Sequence, residues 1–205
     1  MAVKVKICGL KSETEIGIMN ELRPDYVGFI FDPHSKKFIA PEHAKYLKSK
    51  LKRGILSVGV FVNEHIETVV RSIKIAQLDW VQLDGDESEK YINALKATIK
   101  PVPIIRTFKI QRPVDTDRAI HSSADYIMLD GGEGTPFEWS MTKIVERPYF
   151  LSGGLNPDNI YKALELKPQP FAVDVNTGVD ANRMKDYRKV MKFILTVRGF
   201  VGRGI

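Results

Sequence analysis

Residues 3–9 read VKVKICG, in which aliphatic residues alternate with lysine ahead of a Cys-Gly pair. Alternation with a period of two is typical of a β-strand, because successive side chains point to opposite faces. Further short runs rich in β-branched or aromatic residues follow, and they begin at Tyr26, Ile55, Trp80, Val102, Tyr126, Tyr149 and Phe171. We therefore predict eight strands along the chain.

Helix-forming segments separate these runs. The segment 12–22 opens with Ser12 and has Glu15 three residues later, a capping box that predicts the start of a helix. Pro41 stands near the first turn of the next such segment, where its fixed backbone angle is tolerated. The complete set of predicted helices covers 12–22, 40–51, 65–77, 87–100, 115–123, 139–147, 156–166 and 185–200.

Eight successive strand–helix units predict a parallel sheet in an α/β protein. The repeat is short and no linker or second compositional zone interrupts it, so we expect residues 1–205 to form a single catalytic domain. A closed (β/α)8 TIM barrel fits this pattern best, although 205 residues is close to the lower size limit of the fold. The alternative is an open doubly wound sheet, which would carry a GxGxxG motif after its first strand, and ICGLKSE is not one.

The composition favours a cytoplasmic enzyme or binding protein. Hydrophobic residues make up 43% and charged residues 27% of the chain, and the one cysteine cannot form an internal disulfide. No signal-peptide pattern or apolar run long enough to span a membrane is present in the sequence. The net charge of +6 comes from scattered lysines mixed with acidic residues. This excess fits a small anionic substrate or a solvated basic surface, and we expect neither a nucleic-acid nor a membrane partner.

Strand parity brings four ionisable side chains to one end of the barrel. If the aliphatic residues of VKVKICG face the helices, Lys4, Lys6 and Cys8 face the barrel axis. The same parity turns Asp84, Asp130 and Asp174 inward, each near the end of its strand. A cysteine can be a small buried hydrophobe, and an aspartate can cap the next helix. Convergence of all four at the carboxyl ends of the strands predicts an active site.

Glycine turns follow the last two strands, in LSGGLNPDN at 151–159 and DVNTG at 174–178. Small residues there allow backbone N–H groups to close on an anion, and the common phosphate site of this fold lies between these two loops. Ordinary tight turning is the alternative explanation.

The chain resembles the phosphoribosylanthranilate isomerase family along nearly its whole length. The resemblance is carried by KICGL at 6–10, GVFVN at 59–63, VQLDGDE at 81–87, LSGGLNPDN at 151–159, FAVDVNTGVD at 171–180 and KD at 185–186. It implies a (β/α)8 barrel, occurring as a monomer or homodimer, that acts in tryptophan biosynthesis. The implied reaction is an Amadori rearrangement of an aminoaldose to an aminoketose, with no metal or organic cofactor.

The resemblance also implies roles for individual residues. Cys8 corresponds to the general base of the family and Asp130 to its general acid. The phosphate would be bound by Gly153, Gly154, Asn176, Thr177 and Gly178, and Asp174 would contact the anthranilate part of the ligand.

Two positions depart from the family pattern. The family usually has an arginine that grips the anthranilate carboxylate, and here Lys37 takes that place, keeping the charge but losing the bidentate fork. The family motif on the fourth strand usually has histidine where this chain has Asp84. We expect both residues to lie in the substrate site, where Asp84 adds an anion that Lys36, Lys37 or Lys109 would have to neutralise.

Two other functions remain open. One is a different barrel enzyme acting on a phosphosugar, an aldolase or epimerase, for which Lys109 at the end of the fifth strand is the candidate Schiff-base lysine. The other is a non-catalytic sensor of a phosphate ligand, which the two substitutions favour. The presence of both Cys8 and Asp130 favours the isomerase, because a sensor needs neither.

Overall fold

The strands form one closed parallel barrel. A computed structural model describes residues 2–132 and 138–199. The barrel strands are β1 Lys4–Cys8, β2 Tyr26–Ile30, β3 Leu56–Phe61, β4 Trp80–Leu83, β5 Ile104–Lys109, β6 Tyr126–Asp130, β7 Tyr149–Leu151 and β8 Ala172–Val175. Each pairs in parallel with the next along the chain, and β8 pairs with β1. The predicted (β/α)8 TIM barrel is confirmed.

Helices cover the outside of the barrel. They are α1 Glu13–Leu22, α2 Pro41–Ser49, α3 Ile66–Ala76, α4 Glu89–Ile99, α5 Pro113–Ile120, α6 Ile160–Leu164 and α7 Tyr187–Gly199. The capping box of α1 forms as predicted, since the Ser12 hydroxyl accepts from the Glu15 N–H and the Glu15 carboxylate accepts from the Ser12 N–H. Within the described ranges, no helix is long and apolar enough to cross a membrane.

Two predicted helices are wrong in part. The segment 139–147 forms a 3₁₀ helix, Trp139–Ile144, rather than an α-helix. Pro148 disfavours helical geometry at the residue before it, which is consistent with an end of the helix before Arg147. The predicted helix 156–166 begins late because the Asn156 side chain accepts from the N–H groups of Asp158 and Asn159, a local turn that competes with the helix.

The chain beyond β8 contains an element that the sequence did not predict. A short antiparallel hairpin, β9 Asp180–Ala181 and β10 Met184–Lys185, precedes α7. The last predicted helix extended to Phe200, which lies outside the described residues.

The two faces of the barrel strands pack differently, as parity requires. Outward residues such as Val5 and Ile7 are fully buried in the main core against the helices. Inward residues at the amino ends of the strands form an apolar plug, which consists of Tyr26, Val58, Ile105, Met128, Phe150 and Ala172, with Trp80, Tyr126 and Phe171 against it. The plug closes that end of the barrel, with the Lys4 ammonium against the rings of Tyr26 and Phe171, and the inward carboxylates Asp84, Asp130 and Asp174 lie at the opposite end.

Candidate active site

A cavity of about 580 Å³ opens at the carboxyl ends of the strands. Its lining includes Asp84, Asp130, Asp174, Gly153, Gly154, Asn176, Thr177 and Gly178, all of them predicted site residues. Lys109 is the one cationic side chain among the described residues that line it. Two predicted residues, Cys8 and Lys37, do not line the cavity. No group of three or more His, Cys, Asp or Glu side chains in the described ranges could hold a metal ion.

Cys8 ends β1 and is covered. Its side chain packs with Ile30 and Val60, and the residue is only 4% exposed. Gly28 on β2 leaves the space that the sulfur occupies, because a Cβ at Gly28 would lie 2.5 Å from Sγ. Burial raises the pKa of the Cys8 thiol above its ordinary value, and the neighbouring Lys6 ammonium opposes this shift.

A buried ion pair lies directly beneath Cys8. Lys6 and Asp174 are register partners on β1 and β8, and the Lys6 Nζ lies 2.9 Å from Asp174 Oδ1. Burial lowers the pKa of Lys6, but Asp174 and Cys8 more than offset this, so the pKa is raised and the ammonium stays charged. Burial raises the pKa of Asp174, Lys6 opposes it, and the charges of Asp130 and Asp84 raise it further. The four groups predicted to converge are therefore close enough to interact electrostatically.

Asp130 ends β6 on the same rim. It is the register partner of Lys109 on β5, and its Oδ1 accepts from the Gly132 N–H at 2.5 Å. In the order of the closed barrel, β6 and β1 flank β7 and β8. Asp130 and Cys8 therefore stand on either side of the two glycine loops.

The loops after β7 and β8 meet closely. Gly153 and Gly154 have φ of +90° and +63°, the left-handed region that favours glycine. A Cβ at Gly178 would lie 1.9 Å from the Leu155 carbonyl oxygen, so no side chain fits there. Outside the helices and strands of the described residues, no backbone–backbone hydrogen bond has the N–H of Gly153 or Gly154 as its donor. Free N–H groups on two adjoining loops can bind an anion.

Comparison with known proteins identifies the family of the chain. The family model described as N-(5'-phosphoribosyl)anthranilate (PRA) isomerase matches residues 5–196. The chain belongs to the PRA isomerase family. The family member from Endomicrobium trichonymphae is 38% identical over 202 residues, covering 95% of this chain and 98% of the relative.

Solved structures of the PRA isomerase family have the same fold. Monomers generated from the dimeric enzyme of Thermotoga maritima superpose with a TM-score of 0.87 at 35% identity, over 96% of this chain and 99% of theirs. A second structure, at 34% identity, TM-score 0.87 and the same two coverages, is a complex with reduced 1-(o-carboxyphenylamino)-1-deoxyribulose 5-phosphate. That ligand carries a carboxylate, an aromatic ring and a phosphate.

Lys37, one of the two predicted departures from the family pattern, is held inside the protein. Its ammonium forms an ion pair with Asp180 and donates to Asn176 Oδ1 at 3.0 Å. Its stem packs over Gly9, where a Cβ would lie 2.6 Å from Lys37 Cδ. Lys37 is therefore engaged with the loop after β8, 143 residues away in the chain.

Asp84, the second predicted departure from the family pattern, is hydrogen-bonded to a neutral side chain. Gln82 Nε2 donates to Asp84 Oδ1 at 3.1 Å. Buried Arg106 on β5 donates to the Leu83 carbonyl oxygen and forms an ion pair at 3.4 Å with Glu87, whose carboxylate accepts from the Gly85 N–H. Burial lowers the pKa of Arg106, and nearby carboxylates including Asp84 oppose this. Arg106 is thus paired with Glu87, and among the described residues no ion pair with Asp84 is present.

Sequence reasoning also missed Lys185 as a site residue. It is 4% exposed, and its ammonium lies 2.8 Å from both the Asn176 carbonyl oxygen and Asp180 Oδ1. Burial and the neighbouring Lys37 lower the pKa of Lys185 to about 8, and Asp180 opposes them. The available signal was the KD pair at 185–186, which contributed to the family resemblance without an assigned role.

The contact at Gly178 predicts the effect of a small substitution. Gly178→Ala should force the loops after β7 and β8 apart and raise KM for a phosphate-bearing substrate by about 10-fold or more, since one misplaced donor can cost that much. Steady-state kinetics measures this, with Gly17→Ala as the control, because nothing lies within 4 Å of a Cβ built there. An unchanged KM in Gly178→Ala would contradict the assignment of this loop to phosphate.

Proposed function

We propose that this chain catalyses the isomerisation of N-(5'-phosphoribosyl)anthranilate to 1-(o-carboxyphenylamino)-1-deoxyribulose 5-phosphate, with Asp130 as general acid and Cys8 as general base. The observation that carries the proposal is the position of these two residues on β6 and β1, on either side of the glycine loops of β7 and β8. A phosphate bound by those loops would hold the ribose between the acid and the base. Membership of the PRA isomerase family supports the same substrate.

The first step is ring opening. Protonated Asp130 donates its proton to the furanose ring oxygen while the bond from that oxygen to C1 breaks. The lone pair of the anthranilate nitrogen forms the C1 iminium, and the ring oxygen becomes the hydroxyl on C4. The fixed Asp130 Oδ1, which accepts from Gly132, limits rotation of the carboxyl group and so favours a constant direction of proton transfer.

The second step is removal of the C2 proton. The thiolate of Cys8 takes this proton, and the electron pair of the C–H bond forms the C1–C2 double bond of an enolamine, neutralising the iminium. Tautomerisation then gives a ketone at C2 and a methylene group at C1. Lys6 stands beneath the sulfur as a permanent cation, which stabilises the thiolate in a buried position.

The phosphate and the anthranilate carboxylate of the substrate are bound by other residues of the site in this proposal. Gly153, Gly154, Asn176, Thr177 and Gly178 bind the phosphate in this proposal. Asp174 and Lys37 would contact the anthranilate part in this proposal, and Asp174 and Asp84 line the cavity. Because Lys37 is paired with Asp180, its ammonium would have to share that partner with a substrate carboxylate.

A turnover assay tests the proposal. Purified protein should remove freshly prepared N-(5'-phosphoribosyl)anthranilate, followed by the loss of its fluorescence, and the product should be identified by mass and by comparison with authentic aminoketose. Binding of the product without turnover would favour the sensor. No turnover, together with borohydride trapping of a sugar phosphate on Lys109, would favour an aldolase.

A further inference from the structure

The ammonium of Lys185 uses all of its hydrogen-bonding capacity beneath the loop after β8. It lies 2.8 Å from the Asn176 carbonyl oxygen, 2.8 Å from Asp180 Oδ1 and 3.3 Å from Asn176 Oδ1. An ammonium group has three N–H donors, so these three acceptors satisfy it. The Lys185 backbone N–H also donates to Glu15 Oε1 at 3.2 Å, which ties β10 to the start of α1.

The bond to the Asn176 carbonyl fixes the direction of the next peptide N–H. In a trans peptide the C=O and N–H groups point in opposite directions. Because the Asn176 oxygen is turned toward Lys185, the N–H of Thr177 points away from that ammonium. Thr177 and Gly178 line the cavity, whereas Lys185 does not.

Asp180 joins Lys185 to Lys37. Its two carboxylate oxygens accept separately from Lys185 and Lys37, and Asn176 Oδ1 accepts from both lysines. Lys37 and Lys185 thus hold Asp180 and Asn176 between them, which fixes the start of the loop after β8. Burial of an ammonium is unfavourable unless it is paired and hydrogen-bonded, and the three acceptors around Lys185 meet that requirement.

We infer that Lys185 is a positioning residue that turns the Asn176–Thr177 peptide so that its N–H faces the phosphate of the ligand. This inference rests on the phosphate-binding part of the proposed function. Lys185 touches neither the ligand nor the reacting atoms. It acts through the peptide that it holds, with Asp180 fixing the ammonium from its other side.

Inorganic phosphate is the probe that tests this inference without turnover. In Lys185→Met, which keeps the length of the side chain and removes its charge and donors, the dissociation constant for inorganic phosphate should rise about 10- to 100-fold, as on loss of an outer partner that orients a metal ligand. The matched control is Lys189→Met. The Lys189 ammonium also donates to Asp180, and its Nζ lies 2.7 Å from the Asp180 carbonyl oxygen. Lys189 is exposed and has no hydrogen bond to Asn176 among the described residues. Its removal should change phosphate affinity less than about twofold.

Kinetics give a second readout that a purely structural role would not move. KM for the phosphoribosyl substrate should rise in Lys185→Met by a factor similar to the phosphate dissociation constant, while kcat falls much less, because the acid and the base are unchanged. Thermal unfolding of both variants shows whether they are folded.

The results separate this inference from the proposed function. Loss of phosphate affinity in Lys185→Met but not in Lys189→Met supports it, even if the wild-type chain fails to turn over the proposed substrate. If Lys185→Met does not fold, Lys185→Leu takes its place, since leucine also removes the ammonium and its hydrogen bond to the Asn176 carbonyl, and a loss of the same size is expected. Wild-type phosphate affinity in a folded Lys185 variant, or equal losses at Lys185 and Lys189, would overturn the inference.

Discussion

Asp130→Asn should lower kcat for the phosphoribosyl substrate by at least about 10²-fold, because an amide cannot donate the proton that ring opening requires. The asparagine oxygen can still accept from the Gly132 N–H, so the loop should keep its shape. The reduced aminoketose phosphate should therefore bind with nearly unchanged affinity. Asp84→Asn is the comparison, since it removes a carboxylate from the same cavity and should reduce kcat far less.

The residual activity of Asp130→Asn should also change with pH in a defined direction. With the acid removed, turnover depends on the thiolate of Cys8 alone, so kcat/KM in Asp130→Asn should rise about tenfold per pH unit below the pKa of the thiol. Because burial raises that pKa, the rise should continue past about 8.5, the ordinary value for cysteine. Residual activity that falls with pH, or near-wild-type turnover, would remove Asp130 from the mechanism.

Cys8→Ser should fold normally and lose about 10²- to 10⁴-fold in kcat, since an alcohol is far too weak a base at neutral pH. The serine hydroxyl would be buried between Ile30 and Val60, at a cost of about 1–3 kcal/mol of unfolding free energy if it found no partner. Lys6 is close enough to serve as that partner, so the cost should lie at the low end.

Cys8→Ala is the control for this substitution. It removes both the base and any hydroxyl, so its loss of kcat should equal that of Cys8→Ser within a few fold, while circular dichroism and thermal unfolding confirm the fold. A Cys8→Ser variant with substantial activity would show that the thiol is structural.

The sequence predicted the barrel and the rim of the cavity because both follow from local patterns. A period of two places Cys8, Asp84, Asp130 and Asp174 on the inward face whatever the distant contacts are. The capping box of α1 likewise involves residues three apart. Such signals need no knowledge of which strands become neighbours.

The features that were missed depend on long-range contacts. Parity turned Lys6 inward, but its pairing with Asp174 depends on closure of the barrel between β1 and β8. The contacts of Lys37 and Lys185 with Asp180 depend on the hairpin of β9 and β10. Strands of two residues are too short to leave an alternating pattern in the sequence. Nothing in the sequence around Arg106 distinguishes it from other strand residues, because its partner Glu87 lies in the loop after the preceding strand. Sequence alone therefore placed Asp84, Asp130 and Asp174 at the cavity but did not predict the ion pairs around it.

The covering of Cys8 has a consequence for the chemical lifetime of the protein. Peroxide attacks the thiolate, and attack requires access, so a thiol that is 4% exposed and has a raised pKa resists conversion to sulfenic acid in the resting protein. If oxidation does occur, no second cysteine in the chain can rescue it as an internal disulfide. Protection of this sulfur thus depends on the side chains packed against it, Ile30 and Val60. Conditions that loosen this packing should speed oxidation of Cys8 more than conditions that loosen the outer helices.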